Sequence, residues 1–222
     1  MGVRSVKWMT NPGYGTIQTA DVSVVAGDTV VLVSLSTSSK LLTGASDTAG
    51  NSYTIDYQTD ATGIGRGFVS AIAATTASIT VTLTIASSRS GKLAGIFIID
   101  QSCSFISFDE QLDATVTASH ESGSLATLAG DCVFAANGFG NATCTKGPSW
   151  DNQHPDPPAY GRMIEYKEST GGNEVGDFTS SPSRSGERNF MAVYRPSGGG
   201  GPSSSLLTQA QLASQDAGRL AL

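Results

Sequence analysis

Residues 22–37 read VSVVAGDTVVLVSLST. Val22 and Val24 alternate with Ser23, Ala26-Gly27-Asp28 follows as a tight turn, and a second apolar run occupies 29–35. β-branched residues on either side of a Gly-Asp turn read as strand, turn, strand. The same order returns at 124–139 as SLATLAGDCVFAANGF. A second echo joins SSRSGKLAGIFIID (87–100) to SPSRSGERNFMAVYR (181–195), each a Ser-Arg-Ser-Gly turn leading into an apolar strand. GFVSAIAA (67–74) and GRMIEYKE (161–168) hold matching positions between the echoes. Two matched segments in the same order, at similar spacing, mark an internal duplication in which each half supplies about four strands.

Alternation of apolar and polar residues runs through most of the rest. ITVTLTI (79–85) is the cleanest case, with Ile79, Val81, Leu83 and Ile85 set against three threonines. This is the signature of a half-buried antiparallel strand. Gly, Asn, Asp, Ser and Pro punctuate the gaps between short strands, as in a sandwich or barrel. No helical periodicity precedes residue 204. The expectation is an all-β protein with about eight core strands in two facing antiparallel sheets, a jelly roll of two Greek keys. The halves are expected to need each other, because a four-stranded sheet must bury its apolar face against a partner.

The 222 residues allow one large sandwich domain, with enough chain to bury a core without a metal or disulfide staple. Net charge is −6 and the 13 Lys and Arg are scattered. Phosphate-backbone binding needs a clustered basic patch, so nucleic acid is not an expected partner. No run of 18 apolar residues occurs, so no membrane-spanning helix is expected, and the N-terminus has no apolar signal core. The three cysteines, Cys103, Cys132 and Cys144, are read as buried thiols, with a Cys132–Cys144 bridge as the alternative.

Several groups of residues invite a chemical reading, and each has a plainer one. Asp47, Asn51 and Asp56 could supply oxygen ligands to Ca²⁺, but a terminal Glu is missing and the same residues form turns, with Gly50 at a positive φ. No metal and no cofactor is assigned. WDNQHPDPP (150–158) with Tyr160 could grip a sugar, making Trp150 and Tyr160 candidate glycan contacts. The plainer reading packs Trp150 against the sandwich edge, and Trp8 with Tyr14 is read in the same way. His120 and Glu121 beside Asp109, Glu110 and Asp113 contain acid–base residue types. Glycoside hydrolysis needs two carboxylates about 5–10 Å apart across a cleft, which loop proximity does not supply. Two histidines and no Gly-x-Ser-x-Gly elbow leave little material for a nucleophilic triad. No enzymatic activity is expected.

After Arg195 the composition changes to SGGGGPSSS and then LLTQAQLASQDAGRLAL. The chain therefore divides into a sandwich domain, 1–196, and a Gly/Ser linker with a C-terminal arm, 197–222. Leu206, Ala210, Ala213 and Ala217 share a stripe at helical spacing, and Leu207, Leu212, Leu220 and Leu222 add apolar mass. A helix of about a dozen residues is marginal alone in water, so the arm needs a partner surface. Its candidate contact residues are Leu206, Leu207, Ala210, Leu212, Ala213, Leu220 and Leu222.

Strand–Ala-Gly-Asp–strand, then SDTAGNSYT (46–54), then SITVTLTI (78–85), resembles a jelly-roll module of phage and bacterial surface proteins. FMAVYRP (190–196) matches the aromatic strand and Pro that close such modules. The resemblance spans 3–196 and carries no shared site motif. It implies a virion structural protein, closest in type to tailed-phage capsid decoration (cement) proteins, made in the host cytoplasm and placed on the capsid surface. Its expected partners are the major capsid protein and neighbouring copies of itself, as dimers or trimers. A glycan-binding fibre or adhesin module is the alternative.

Overall fold

Apolar runs of two kinds build the molecule, and they take different places in it. The computed structural model describes residues 2–10, 17–19, 21–36, 42–59, 66–85, 92–113, 116–138, 143–150, 152–155, 162–184 and 187–198. The first half contains β1 (Val3–Thr10), β2 (Ile17–Thr19), β3 (Val22–Val24), β4 (Thr29–Ser36), β5 (Leu42–Asp47), β6 (Thr54–Thr59), β7 (Arg66–Ile72), β8 (Ala77–Ile79), β9 (Val81–Ile85) and β10 (Lys92–Ile99). The second contains β11 (Cys103–Asp113), β12 (Thr117–Gly138), β13 (Thr143–Lys146), β14 (Asn152–Pro155), β15 (Arg162–Arg184) and β16 (Glu187–Pro196). The protein is all-β, with antiparallel sheets stacked as sandwiches.

The sheets divide by chain half, and where the sequence suggested about eight core strands in two facing sheets, the described residues form 16 strands in three sheets. One sheet runs β5-β9-β2-β1-β10-β4-β7-β6, with β3-β8 beside it. The other runs β11-β16-β12-β15-β13, with β14 on β15. Each half closes a core of its own. In the first, Val30, Leu32, Val69, Ile96 and Ile98 are covered by Val22, Val24, Ile79, Val81 and Leu83. In the second, Val133, Ala135, Met191 and Val193 are covered by Trp150 and Phe178. A third cluster lies between the halves, where Val31, Val33, Phe68 and Phe97 meet Phe134, Ile164, Phe190 and Tyr194.

The reason for the difference is legible in the central strands. A strand covered on one face alternates; a strand covered on both is apolar throughout. Val30–Val33 of β4, Ile96–Ile99 of β10, Cys132–Ala136 of β12 and Phe190–Tyr194 of β16 are continuous runs, and every residue in them is buried. The alternating strands β3, β8 and β9 take the outer layer of the first half, one face to the core.

The duplication extends to register. Thr29 of β4 faces Ile99 and Ile72 on its two neighbours, and Cys132 of β12 faces Tyr194 and Glu168 on its own. β1 slips register between Val3 and Ser5, and β11 slips between Phe105 and Ser107, directly across from those same equivalent residues, Ile99 and Tyr194. β12 does in one run the work of β3 and β4, and β15 that of β7 and β8. The first part of β12 pairs with the second part of β15, as β3 pairs with β8. Across the seam β7 meets β16 through Phe68 and Phe190, while β10 meets β15 through Phe97 and Tyr166. Equivalent strands thus exchange places across the seam, as around an approximate two-fold axis.

The Ala-Gly-Asp turns are the same device twice. Gly27 and Gly130 stand at φ +93° and +90°, a region that favours glycine. Asp28 Oδ2 accepts the Val25 N–H at 2.6 Å, and Asp131 Oδ2 accepts the Leu128 N–H at 2.8 Å. Arg4 is paired with Asp28, and Arg195 grips Asp131 through Nε and Nη2 at 2.9 and 2.8 Å. Removing a buried carboxylate leaves a peptide N–H and a guanidinium without their acceptor. Hydrogen bonds to a charged group are worth about 1.5–3 kcal/mol each. Asp28→Ala and Asp131→Ala are each expected to lower unfolding free energy by about 2–3 kcal/mol in denaturant titrations. Similar losses at both positions support their equivalence; a neutral result at either contradicts it.

Candidate functional site

The seam between the halves opens at one side into a cleft of about 490 Å³, between β6–β7 and β11. Small hydroxyl residues from both halves line it, Ser52, Thr54 and Ser70 on one side and Ser104 on the other, with Asp56 in its wall and Phe105 opposite. The strand pleat places them, since on β6 and β7 the residues that turn away from the first core turn towards this seam. Asp56 Oδ2 accepts the Tyr194 hydroxyl at 2.8 Å, a bond that spans 138 positions of sequence. Burial raises the Asp56 carboxyl from its ordinary value, opposed by hydrogen bonds from Ser70 and Tyr194. Tyr194 is fully buried, and desolvation and the nearby Asp56 carboxylate push its hydroxyl well up. The ring of Phe105 meets Tyr194 edge to face at 5.6 Å. A row of hydroxyls, one acceptor carboxyl and a partly exposed ring suit a polyhydroxylated ligand held by hydrogen bonds.

Further along the seam, Glu110 of β11 bonds to Arg66 Nη1 at 3.1 Å and accepts the Tyr57 hydroxyl at 2.8 Å. Tyr57 stacks on Phe108 at 3.5 Å between centroids, and Arg66 lies over Phe190 at 5.5 Å. Glu110 therefore ties the two halves together. His120, fully buried, bonds through Nε2 to Ser180 Oγ at 2.9 Å, and Asp109 Oδ1 accepts the Glu110 N–H. His120, Asp109 and Glu110 are thus each taken up in structural hydrogen bonds.

Asp47 and Asn51 form the expected turn. Asp47 accepts the Ala49 and Asn51 N–H groups, the Asn51 side-chain amide and the Tyr53 hydroxyl, and Gly50 takes φ +75°. Asp56 lies apart from that turn, on Tyr194. Among the described residues no His, Cys, Asp and Glu group suited to a metal occurs.

Trp150 is buried, 1% exposed, and its indole N–H donates to Val175 O at 3.1 Å. Lys167 covers its ring at 5.0 Å. This is the packed position weighed against the sugar-binding one, and it leaves no ring face for a glycan to stack on. Tyr160 and the arm residues Leu206, Leu207, Ala210, Leu212, Ala213, Leu220 and Leu222 lie outside the described residues. Trp8 lies on β1. Cys103 and Cys132 are buried thiols and Cys144 is half-buried; no disulfide joins Cys132 to Cys144. Burial pushes the Cys103 thiol up to about 11, so it is protonated and unreactive at neutral pH.

The seam cleft escaped sequence reading because its members come from residues 52–72 and 103–105, and no local pattern joins them. Glu165 escaped as well. It sits fully buried on β15, its oxygens accepting the Gly147 and Asp177 N–H groups at 3.1 and 3.0 Å. Burial, with the Asp177 charge adding to it, pushes its carboxyl from 4.5 up to about 9. No protein-family model, curated protein or solved structure matches the chain.

A carboxyl raised in the folded state binds its proton more tightly there than in the unfolded chain. Its contribution is complete below 4.5 and is lost as pH rises through about 9. Stability is therefore expected to fall between pH 5 and 9 through this group. Glu165→Gln, which cannot ionise, flattens that slope even where loss of one acceptor lowers overall stability. Unfolding midpoints measured across this range test it; parallel slopes for the two proteins contradict it.

Proposed function

We propose that this protein is a virion structural protein, a decoration or cement protein attached to the outer surface of a tailed-phage capsid. The observation that carries the reading is where the sandwich meets its tether. Ser197 N–H donates to Ser102 O at 2.7 Å and its hydroxyl lies 2.8 Å from that of Ser104. The arm thus departs beside the start of β11, an outer strand on which Ile106, Phe108 and Leu112 are 41–42% exposed. Exposed apolar side chains on an outer strand beside a Gly-rich tether support an attachment surface.

Strand order supports the same reading. The successions β1-β10-β4-β7 and β11-β16-β12-β15 repeat one strand order in the two halves. A repeated antiparallel order supports the resemblance to phage surface modules. Partners are the major capsid protein and neighbouring copies. Joining a rigid body and an arm to one particle raises attachment about 10²–10⁴-fold over either contact alone.

A glycan-binding fibre or adhesin module is the second reading, and the hydroxyl-lined seam cleft is what favours it. Isolated particles bearing the full chain or a chain lacking 197–222, challenged with heat or salt, separate the readings. The expected result is at least a tenfold loss of occupancy without the arm. Full occupancy without it removes the arm's role, and absence of the protein from intact virions removes the reading. A glycan-array signal abolished by Phe105→Ala transfers the assignment to the second.

A further inference from the structure

The register of the two halves fixes which seam contacts correspond. Thr29 and Cys132 stand for each other, so Ser70 of β7 is the counterpart of Tyr166 of β15, and Ala192 of β16 that of Phe97 of β10. Phe68 is likewise the counterpart of Ile164, and Phe190 that of Gly95. This second set keeps its contact on both sides of the seam. Phe68 meets Phe190 at 5.3 Å, and a Cβ on Gly95 would lie 3.0 Å from Ile164 Cδ1. The first set differs. Phe97 packs edge to face on Tyr166 at 5.2 Å, whereas Ala192 and Ser70 bring no ring to the matching corner.

That corner is the cleft of about 490 Å³. Its rings stand on the other wall, as Phe105 of β11 and Tyr194 of β16, where the counterpart corner has Val3 and Ile99. Thr54 and Ser70 line the cleft from β6 and β7, and Asp56 lies in its wall. A slot results, with an aromatic side chain on one side and hydroxyls and a carboxyl on the other. Its volume falls within the roughly 300–1,000 Å³ of ligand pockets.

We propose that this slot receives a tyrosine side chain of the protein to which the arm attaches. The inference rests on the attachment reading above and adds a second contact to it. Two observations select a phenol, and a third its source. Tyr166 closes the counterpart corner, so a phenol at this place has a precedent within the molecule. Asp56 already accepts one phenol hydroxyl, that of Tyr194 at 2.8 Å, and a carboxylate has several acceptor sites. Ser104, which lines the cleft, has its hydroxyl 2.8 Å from that of Ser197, so the tether leaves beside the cleft. Arm and slot therefore address the same surface. Ile72, 43% exposed, adds an apolar rim. Aromatic anchors seated in pockets carry much of the energy of protein interfaces, and tyrosine loses little entropy on being held. The hydroxyls alone would suit a sugar equally; the counterpart Tyr166 decides for a ring.

The test uses the full chain with N-acetyl-tyrosinamide as the probe, followed by backbone amide NMR shifts. Saturable shifts are expected at Thr54, Ser70 and Ser104. N-acetyl-phenylalaninamide, which lacks the hydroxyl, is expected to bind about tenfold more weakly. Ser70→Tyr, which supplies the counterpart ring from within, is expected to abolish the shifts, and Phe105→Ala to weaken binding up to about tenfold. Equal binding of the two probes, absence of saturable shifts, or shifts that persist in Ser70→Tyr overturn the proposal. Saturable binding of a methyl hexoside at these amides in place of the tyrosine probe overturns it in favour of a sugar site. On particles, Ser70→Tyr is expected to lower occupancy about tenfold, as loss of an aromatic anchor does. Where Ser70→Tyr does not fold, Phe105→Ala takes its place in both experiments. Occupancy that depends on the arm but not on the slot overturns the slot contact and leaves the capsid reading standing. Probe binding blocked by Ser70→Tyr, with no protein on intact virions, supports the tyrosine slot and removes that reading alone.

Discussion

The aromatic seam between the two halves is the contact on which the structure depends. Phe97 meets Phe134 and Tyr166 at 5.0 and 5.2 Å, Phe68 meets Phe190 at 5.3 Å, and Phe134 meets Tyr194 at 5.8 Å. Edge-to-face pairs of this kind add about 0.5–1.5 kcal/mol beyond the area they bury. β4, β10, β12 and β16 are apolar on both faces, so neither half could stand alone without exposing a full sheet of Val, Ile and Phe. Each half has an inner core, yet the seam is what makes them one body. Its polar margin closes the same joint, through Asp56 with Tyr194 and through Glu110 with Arg66 and Tyr57.

The two-fold character of the seam explains why one sequence pattern serves twice. Duplicated sandwiches packed through equivalent faces form in one chain what two identical chains form in an isologous dimer. Residues free to diverge did so where the halves no longer need to match. Thr29 bonds to Gln101 O and to the Cys103 N–H at the linker between halves, while its counterpart Cys132 packs in the seam. β2 pairs with the end of β1 at Met9 and Thr10, whereas among the described residues no strand lies beyond β11 in its sheet. Asymmetry between repeats locates what is specific to each half.

Much of this was legible in residues 22–37 and their echo. The Ala-Gly-Asp turns, the strand class and the order of the halves follow from local chemistry: a glycine at positive φ, a carboxylate capping its own turn, and β-branched flanks. The Asp47–Gly50 turn was legible for the same reason. How many sandwiches the chain builds was less so. The continuous runs VVLV and FMAVY, the mark of strands covered on both faces, sit among far more numerous alternating stretches. The length of β12 and β15 was hidden too, because each runs on through glycines at positive φ, Gly130 in one and Gly171–Gly172 in the other, and glycine in sequence reads as a stop. Nothing local marks Asp56 or Glu165, whose character comes from what tertiary packing sets around them.

Differential scanning calorimetry of the purified chain tests the central claim most directly, since it asks whether the seam makes the halves one cooperative unit. The account predicts a single transition whose calorimetric and van't Hoff enthalpies agree, shifted to lower temperature as a whole by Phe134→Ala. Two resolved transitions, or a Phe134→Ala shift confined to one of them, would contradict it.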